Sequence, residues 1–124
     1  MEKYKSILQE LVRNTGAEGA ILVSPDGLAI ASTFSDAYDE DRAAAMGAAI
    51  LSLAERVSNE LNKGELQELY LKGKDGYVLF KGISDVAVLG ILTSANVKLG
   101  LLLMEAKRAE KILEKELLGE PVSI

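Results

Sequence analysis

Two tight turns close to one another constrain this chain more than any other feature of its sequence. Gly73-Lys74-Asp75-Gly76 and Gly82-Ile83-Ser84-Asp85 separate three apolar segments, which span residues 66–72, 77–81 and 86–93. Glycine and aspartate are typical of turns, and the first segment alternates with the period of a strand. Because such short turns leave no room for a crossover helix, the consecutive strands must run antiparallel. The sequence therefore predicts a three-stranded antiparallel meander.

The N-terminal half predicts a helix, a hairpin and a longer helix. Apolar residues at positions 4, 7, 8 and 11 lie on one helical stripe, and Gly16 suits the end of that helix. Residues 20–23 and 28–34 flank Ser24-Pro25-Asp26-Gly27, whose proline and glycine favour a type I turn and hence a hairpin. The next helix is expected to end near residue 61, with Asp36 or Asp39 as its N-cap.

A last helix follows the meander, with Asn96 predicted as its N-cap. Apolar residues at positions 102, 106, 109, 113 and 117 recur at helical spacing, with charged residues between them. The resulting order, αββαβββα, predicts an α+β domain. One long helix is expected on one face of a five-stranded antiparallel sheet, and the two terminal helices on the other. The 124 residues fit a single domain over 1–124, with its core at about 3–118 and a short tail at 119–124.

The composition excludes several classes of function. The chain has no His and no Cys, which removes imidazole and thiol catalysis and the usual zinc sites. A net charge of −5 disfavours nucleic acid and anionic membranes as partners. No apolar run approaches the roughly 20 residues of a transmembrane helix, and no targeting segment is recognisable. We therefore expect a cytoplasmic protein without membrane insertion.

No nucleotide or metal site is recognisable either. The one Gly-Lys pair, Gly73-Lys74, lacks the rest of a phosphate-binding loop, so the chain alone should not bind GTP. Acidic residues at positions 36, 39, 40 and 41 lack the spacing of a calcium loop and are interpreted as helix capping. Arg42 and Arg56 are candidate arginine fingers, but a solvated or salt-bridged role is the simpler interpretation. We expect no catalytic residue, no cofactor and no metal, and hence a protein that is not an enzyme.

The central helix lacks charge where a solvent-facing side should carry it. No residue from 43 to 54 is charged, and Ser52 is the one polar side chain there. One large apolar stripe is expected to cover the helix's own sheet; it comprises Met46, Ile50, Leu53, Val57 and Leu61. The opposite side carries alanine and glycine, and Gly47 costs about 1 kcal/mol relative to alanine in a helix. A close contact with a partner would explain these small residues, although helical propensity alone is an alternative explanation for the alanines.

Several segments together resemble the roadblock / dynein-light-chain family. They are the Gly-Ala-x-Gly-Ala of residues 16–20, the Pro25-Asp26-Gly27 turn, Gly76-Tyr77-Val78-Leu79-Phe80, Asp85-Val86-Ala87-Val88-Leu89, and Asn96-Val97-Lys98-Leu99-Gly100-Leu101 leading to Lys107-Arg108-Ala109. The resemblance spans about residues 3–118. It implies the αββαβββα fold and homo- or heterodimers joined through the central helix and third strand. It also implies a role as regulator or scaffold of small Ras-like GTPases, or as a motor light chain.

The resemblance and the central helix together predict a non-enzymatic homodimer that binds a small Ras-like GTPase and modulates its nucleotide cycle. The dimer interface is predicted to include Gly47, Leu51, Leu66, Glu68 and Tyr70. The GTPase contact is predicted on Ala44, Ala45, Ala48, Ser52 and Glu55. A purely structural dimeric adaptor or light chain, and a small-ligand sensor, are the alternatives.

Overall fold

A computed structural model describes residues 2–119, apart from the side chain of Tyr38. The elements are α1 (Glu2–Thr15), β1 (Gly19–Val23), β2 (Ala29–Ser32), α2 (Ala37–Glu60), β3 (Leu69–Gly73), β4 (Gly76–Ile83), β5 (Ala87–Ser94) and α3 (Leu99–Leu118). The predicted αββαβββα order is confirmed, and the elements differ from prediction only at their ends. Most of the predicted tail, residues 120–124, lies outside the described residues.

The five strands form one antiparallel sheet in the order β2-β1-β5-β4-β3. β1 pairs with β5, from Gly19 opposite Leu92 to Val23 opposite Val88. β3 pairs only with β4 and therefore forms one edge of the sheet. The backbone groups on the outer side of such an edge strand are available to pair with another chain.

Helices cover both faces of the sheet, as predicted. α1 and α3 pack against each other on one face, where their core includes Leu8, Leu79, Leu89, Leu102 and Leu113. α2 packs on the other face, mainly over β1, β2, β4 and β5, with a smaller core that includes Ile21, Ala44, Leu51, Phe80 and Val88. Successive strand residues point to opposite faces, which is why the neighbours Leu79 and Phe80 belong to different cores.

The N-terminal cap of α2 agrees with the sequence prediction, whereas that of α3 does not. Asp36 is the N-cap of α2, since its Oδ1 accepts a hydrogen bond from the Asp39 N–H at 3.4 Å. The predicted cap of α3 at Asn96 is wrong, because the cap position is Lys98, which makes no side-chain capping bond. The Val97 N–H instead closes a turn on the Ser94 carbonyl, and the Val97 side chain packs into the α1/α3 core. That packing delays the start of the helix.

Candidate interaction surface

The exposed side of α2 is only partly the side that the sequence predicted. Four large apolar side chains of the helix region are 47–65% exposed, namely Met46, Leu53, Val57 and Leu61. Ala44 is fully buried and Leu51 is 3% exposed. The prediction that the large apolar stripe covers the helix's own sheet is therefore wrong for these four side chains, whereas Ile50 of the same stripe packs against the α2 core. On the predicted outward side, Ala44 and Leu51 face the sheet instead.

The bulk of the Phe80 ring explains why Gly47 faces the sheet. A Cβ built on Gly47 would lie 2.9 Å from Phe80 Cε1, and a Cβ built on Gly90 of β5 would lie 3.2 Å from the same atom. The ring fills the space between α2 and the sheet, and close packing there requires glycine on both sides. A contact within the chain thus explains why glycine stands at position 47. The prediction that Gly47 is explained by close contact with a partner is wrong.

The exposed side of α2 borders two apolar hollows above the β3–β4 end of the sheet. One hollow of about 550 Å³ lies between Met46, Leu53 and Leu71, with Val78 and Phe80 also lining it. A second hollow of about 460 Å³ continues along the helix; its lining includes Val57, Leu61, Leu66 and Leu69. We call the surface formed by Met46, Ile50, Leu53, Val57, Leu61 and Leu71 the apolar strip. Contiguous apolar surface of this kind marks interaction sites in folded proteins.

The predicted site residues on α2 divide into buried and accessible groups. Ala44, Gly47 and Leu51 are buried against the sheet, so the prediction that they face outward is wrong. Ala48 is half-buried, whereas Ala45, Ser52 and Glu55 are exposed. The accessible residues lie on the flank of α2 beside the β1–β2 turn, whose Gly27 and Pro25 approach the helix.

Two of the predicted site residues near β3, Glu68 and Tyr70, belong to a polar network. The Tyr70 hydroxyl donates a hydrogen bond to Glu68 Oε1 at 2.9 Å, and Lys81 Nζ lies 3.3 Å from Glu68 Oε2. Lys81 Nζ also lies 3.4 Å from Glu110 Oε1 on α3, so the network ties the segment before β3 to that helix. Partial burial, followed by the hydrogen bond to Glu68, raises the pKa of Tyr70 to about 12. Leu66, the remaining predicted residue, is half-buried under the end of α2.

Within residues 2–119, no cluster of three or more acidic side chains is arranged to hold a metal ion. None of the helices in this part of the chain is long and apolar enough to cross a membrane. Arg56 Nε lies 2.7 Å from Glu60 Oε2, which confirms its salt-bridged interpretation.

Comparison with known proteins identifies the family of this α+β domain. The family model described as the Roadblock/LC7 domain matches residues 3–93. An uncharacterised protein from Methanocaldococcus jannaschii, MJ1340, is 36% identical over 107 residues, which cover 86% of this chain and 93% of that protein. The chain belongs to the roadblock/LC7 family, as its resemblance predicted.

Solved structures confirm the fold. A roadblock/LC7 domain from Streptomyces avermitilis superposes with a TM-score of 0.87 at 18% identity, over 92% of this chain and 97% of that one. MglB from Myxococcus xanthus also gives a TM-score of 0.87 at 18% identity, over 95% of this chain and 97% of its own. At this level of identity the likeness shows a shared architecture.

Proposed function

We propose that this chain forms a homodimer through the apolar strip and the free edge of β3, and that the dimer binds a small Ras-like GTPase and modulates its nucleotide cycle. The observation that carries the proposal is the apolar strip lying beside an unpaired edge strand. Membership of the roadblock/LC7 family supports the GTPase part, because the family resemblance implies that role. The proposed role is that of a regulator or scaffold, not of an enzyme.

A two-fold axis beside β3 would cover the free β3 edge and the apolar strip in the same dimer. Antiparallel pairing of β3 with its copy would remove the exposed edge and make one continuous sheet. The same axis would bring the apolar strips of the two α2 helices together over that sheet. Full burial of one exposed leucine contributes about 1.5–3 kcal/mol, so several half-exposed side chains from each copy supply a substantial driving force.

The GTPase contact is proposed for the flank of α2 that stays outside this dimer. Of the residues predicted for it, Ala45, Ser52 and Glu55 are exposed there, and Ala48 contributes its exposed part. Ala44 is removed from the proposed contact because it is fully buried. The short side chains make this flank shallow enough for a loop or helix of the GTPase to lie across it.

The dimer is tested by placing one charge in the apolar strip and one outside it. Leu53 and Met104 are matched positions, since both are large apolar residues on a helix and they are 60% and 62% exposed. Leu53→Asp should be monomeric in sedimentation equilibrium, because the dimer would bury an unpaired carboxylate from each copy. Wild type and Met104→Asp should both sediment at about twice the mass of one chain. A monomeric wild type, or a dimeric Leu53→Asp, would contradict the dimer proposal.

The GTPase contact is tested separately with purified Ras-like GTPases from the same organism. Ser52→Arg should weaken binding of the dimer at least about tenfold, since a long charged side chain would stand in the middle of the contact. Gln9→Arg adds the same charge to an exposed position of α1 and should leave binding unchanged. If the wild-type dimer binds no such GTPase and does not alter nucleotide release or hydrolysis, the structural adaptor is the better description.

A further inference from the structure

The face of the sheet that carries α1 and α3 is left open beside its β3 edge. Tyr70 pairs with Leu79 and Lys72 pairs with Tyr77, so these side chains share the face of the α1/α3 core to which Leu79 belongs. Tyr70 and Lys72 are nevertheless exposed, and Tyr77 is only half-buried. This part of the sheet therefore presents side chains that no helix of the described residues covers.

A cleft of about 760 Å³ lies beside this open face, between the segment before β3 and α3. Residues 65–68 form one wall, α3 forms the other, and Leu79 and Ala106 lie at the base. Ser84 and Asp85 of the β4–β5 turn also line it. A volume of this size, within the roughly 300–1,000 Å³ of ligand pockets, accommodates several side chains. No residue of the apolar strip lines the cleft, although Leu66 lines both the cleft and the second apolar hollow.

The lining of the cleft carries an excess of negative charge. Its carboxylates are Glu65, Glu68, Asp85, Glu110 and Glu114, and its ammonium groups are Lys81 and Lys107. Lys81 is already held by Glu68 and Glu110, and its side chain is only 11% exposed. Glu65 and Asp85 are exposed at the mouth, and the described part of the chain offers neither an ion pair.

We propose that this cleft binds a basic, predominantly polar segment of a partner protein. Charge complementarity carries the proposal, since Lys or Arg side chains would pair with the uncompensated carboxylates at the mouth.

None of the residues proposed for the GTPase contact lines the cleft. One wall of the cleft is α3, which lies outside the residues 3–93 matched by the family model. The cleft and the α2 flank proposed for the GTPase meet at the β4–β5 turn, because Gly82, Ser84 and Asp85 line both the cleft and the hollow beside that flank. In the proposed dimer, β3 pairing would also put the second cleft on the same face of the joined sheet, so that a long basic segment could contact both copies. That last point alone rests on the proposed function.

The test uses a fluorescently labelled short peptide of alternating lysine and alanine, with a glutamate–alanine peptide as its counterpart. The double variant Glu65→Lys/Asp85→Lys reverses both charges at the mouth, whereas Glu18→Lys/Asp26→Lys makes the same change at exposed sites away from the cleft. In fluorescence anisotropy, the basic peptide should bind wild type and the distant variant within about twofold. The cleft variant should bind at least about tenfold more weakly, because attraction is replaced by repulsion.

Several results would overturn the proposal. Equal weakening by both double variants would mean that the peptide senses only the overall charge of the chain. Peptide-induced amide shifts confined to the apolar strip would place the peptide on the wrong face, and no binding of the basic peptide at low salt would remove the site altogether. Leu53→Asp separates this proposal from the dimer, since a monomer should still bind the peptide through its single cleft.

Discussion

Replacing Gly47 with alanine should destabilise the protein, although alanine is the better helix former. The new Cβ would lie 2.9 Å from Phe80 Cε1, closer than carbon atoms pack. The ring has little room to move toward the sheet, because a Cβ built on Gly90 of β5 would lie only 3.2 Å from the same Phe80 atom. The change therefore sets a gain in helix propensity against a steric cost.

Gly100 in α3 provides the matched control that separates these two effects. A Cβ at Gly100 would meet nothing within 4 Å, so Gly100→Ala retains only the propensity gain of up to about 1 kcal/mol. Overpacking a core costs typically about 1–3 kcal/mol, so Gly47→Ala should be less stable than Gly100→Ala by about that amount. The net effect of Gly47→Ala should be a loss of about 1 kcal/mol in the free energy of unfolding.

Urea denaturation at one fixed protein concentration measures both variants without a contribution from changing association. Repeating Gly47→Ala in a Phe80→Leu background removes the ring, and there the alanine should stabilise by up to about 1 kcal/mol. If Gly47→Ala stabilises the otherwise wild-type protein as much as Gly100→Ala does, the ring is not constrained and the explanation of Gly47 fails.

Two other substitutions probe the β3–β4 end of the sheet. A Cβ on Gly76 would lie 2.0 Å from the Thr93 carbonyl oxygen, so Gly76→Ala should lower the free energy of unfolding in urea by about 3 kcal/mol or more. Gly64 also has a positive φ but has open space around it, so Gly64→Ala should lower the free energy of unfolding by only about 1–2 kcal/mol. Equal losses for Gly64→Ala and Gly76→Ala would contradict the steric argument. The raised pKa of Tyr70 means that the folded chain keeps this proton from pH 10 to about 12 while the unfolded chain releases it, so stability should fall as the pH rises through that window. Tyr70→Phe should make that fall shallower and remove the highest step from the ultraviolet titration of tyrosinate; an unchanged titration would refute the assignment.

The order of the elements could be predicted from the sequence because each element carries its own local signal. Period-two alternation, tight turns and helical spacing do not depend on what lies across the core. The orientation of α2 does depend on it. Both sides of this helix lack charge, so the usual preference for burying the larger apolar side chains decided the prediction wrongly. The deciding contact joins Gly47 to Phe80 and Gly90, which are paired on β4 and β5, and no spacing rule connects Gly47 with that distant pair.

The acidic cleft could not be predicted for a similar reason. Its carboxylates come from the segment before β3, the β4–β5 turn and one side of α3. On α3 the same residues alternate with lysines and have the pattern of an ordinary solvated helix surface. Only the tertiary fold shows that Glu110 of α3 lies beside Lys81 of β4 and that a cleft separates α3 from the segment before β3.

The pairing of β1 with β5 also determines how the chain can reach its native state. The β1–β2 hairpin and the β3–β4–β5 meander each close through short connections and can form locally. The ladder from Gly19–Leu92 to Val23–Val88 must instead close a loop that contains α2 and most of the meander. The entropy of that closure is lost before the ladder's bonds are gained, which makes non-local strand pairing slow. We therefore expect the joining of the two halves along β1 and β5 to be the slow step of folding, with the docking of α1 on α3 following it.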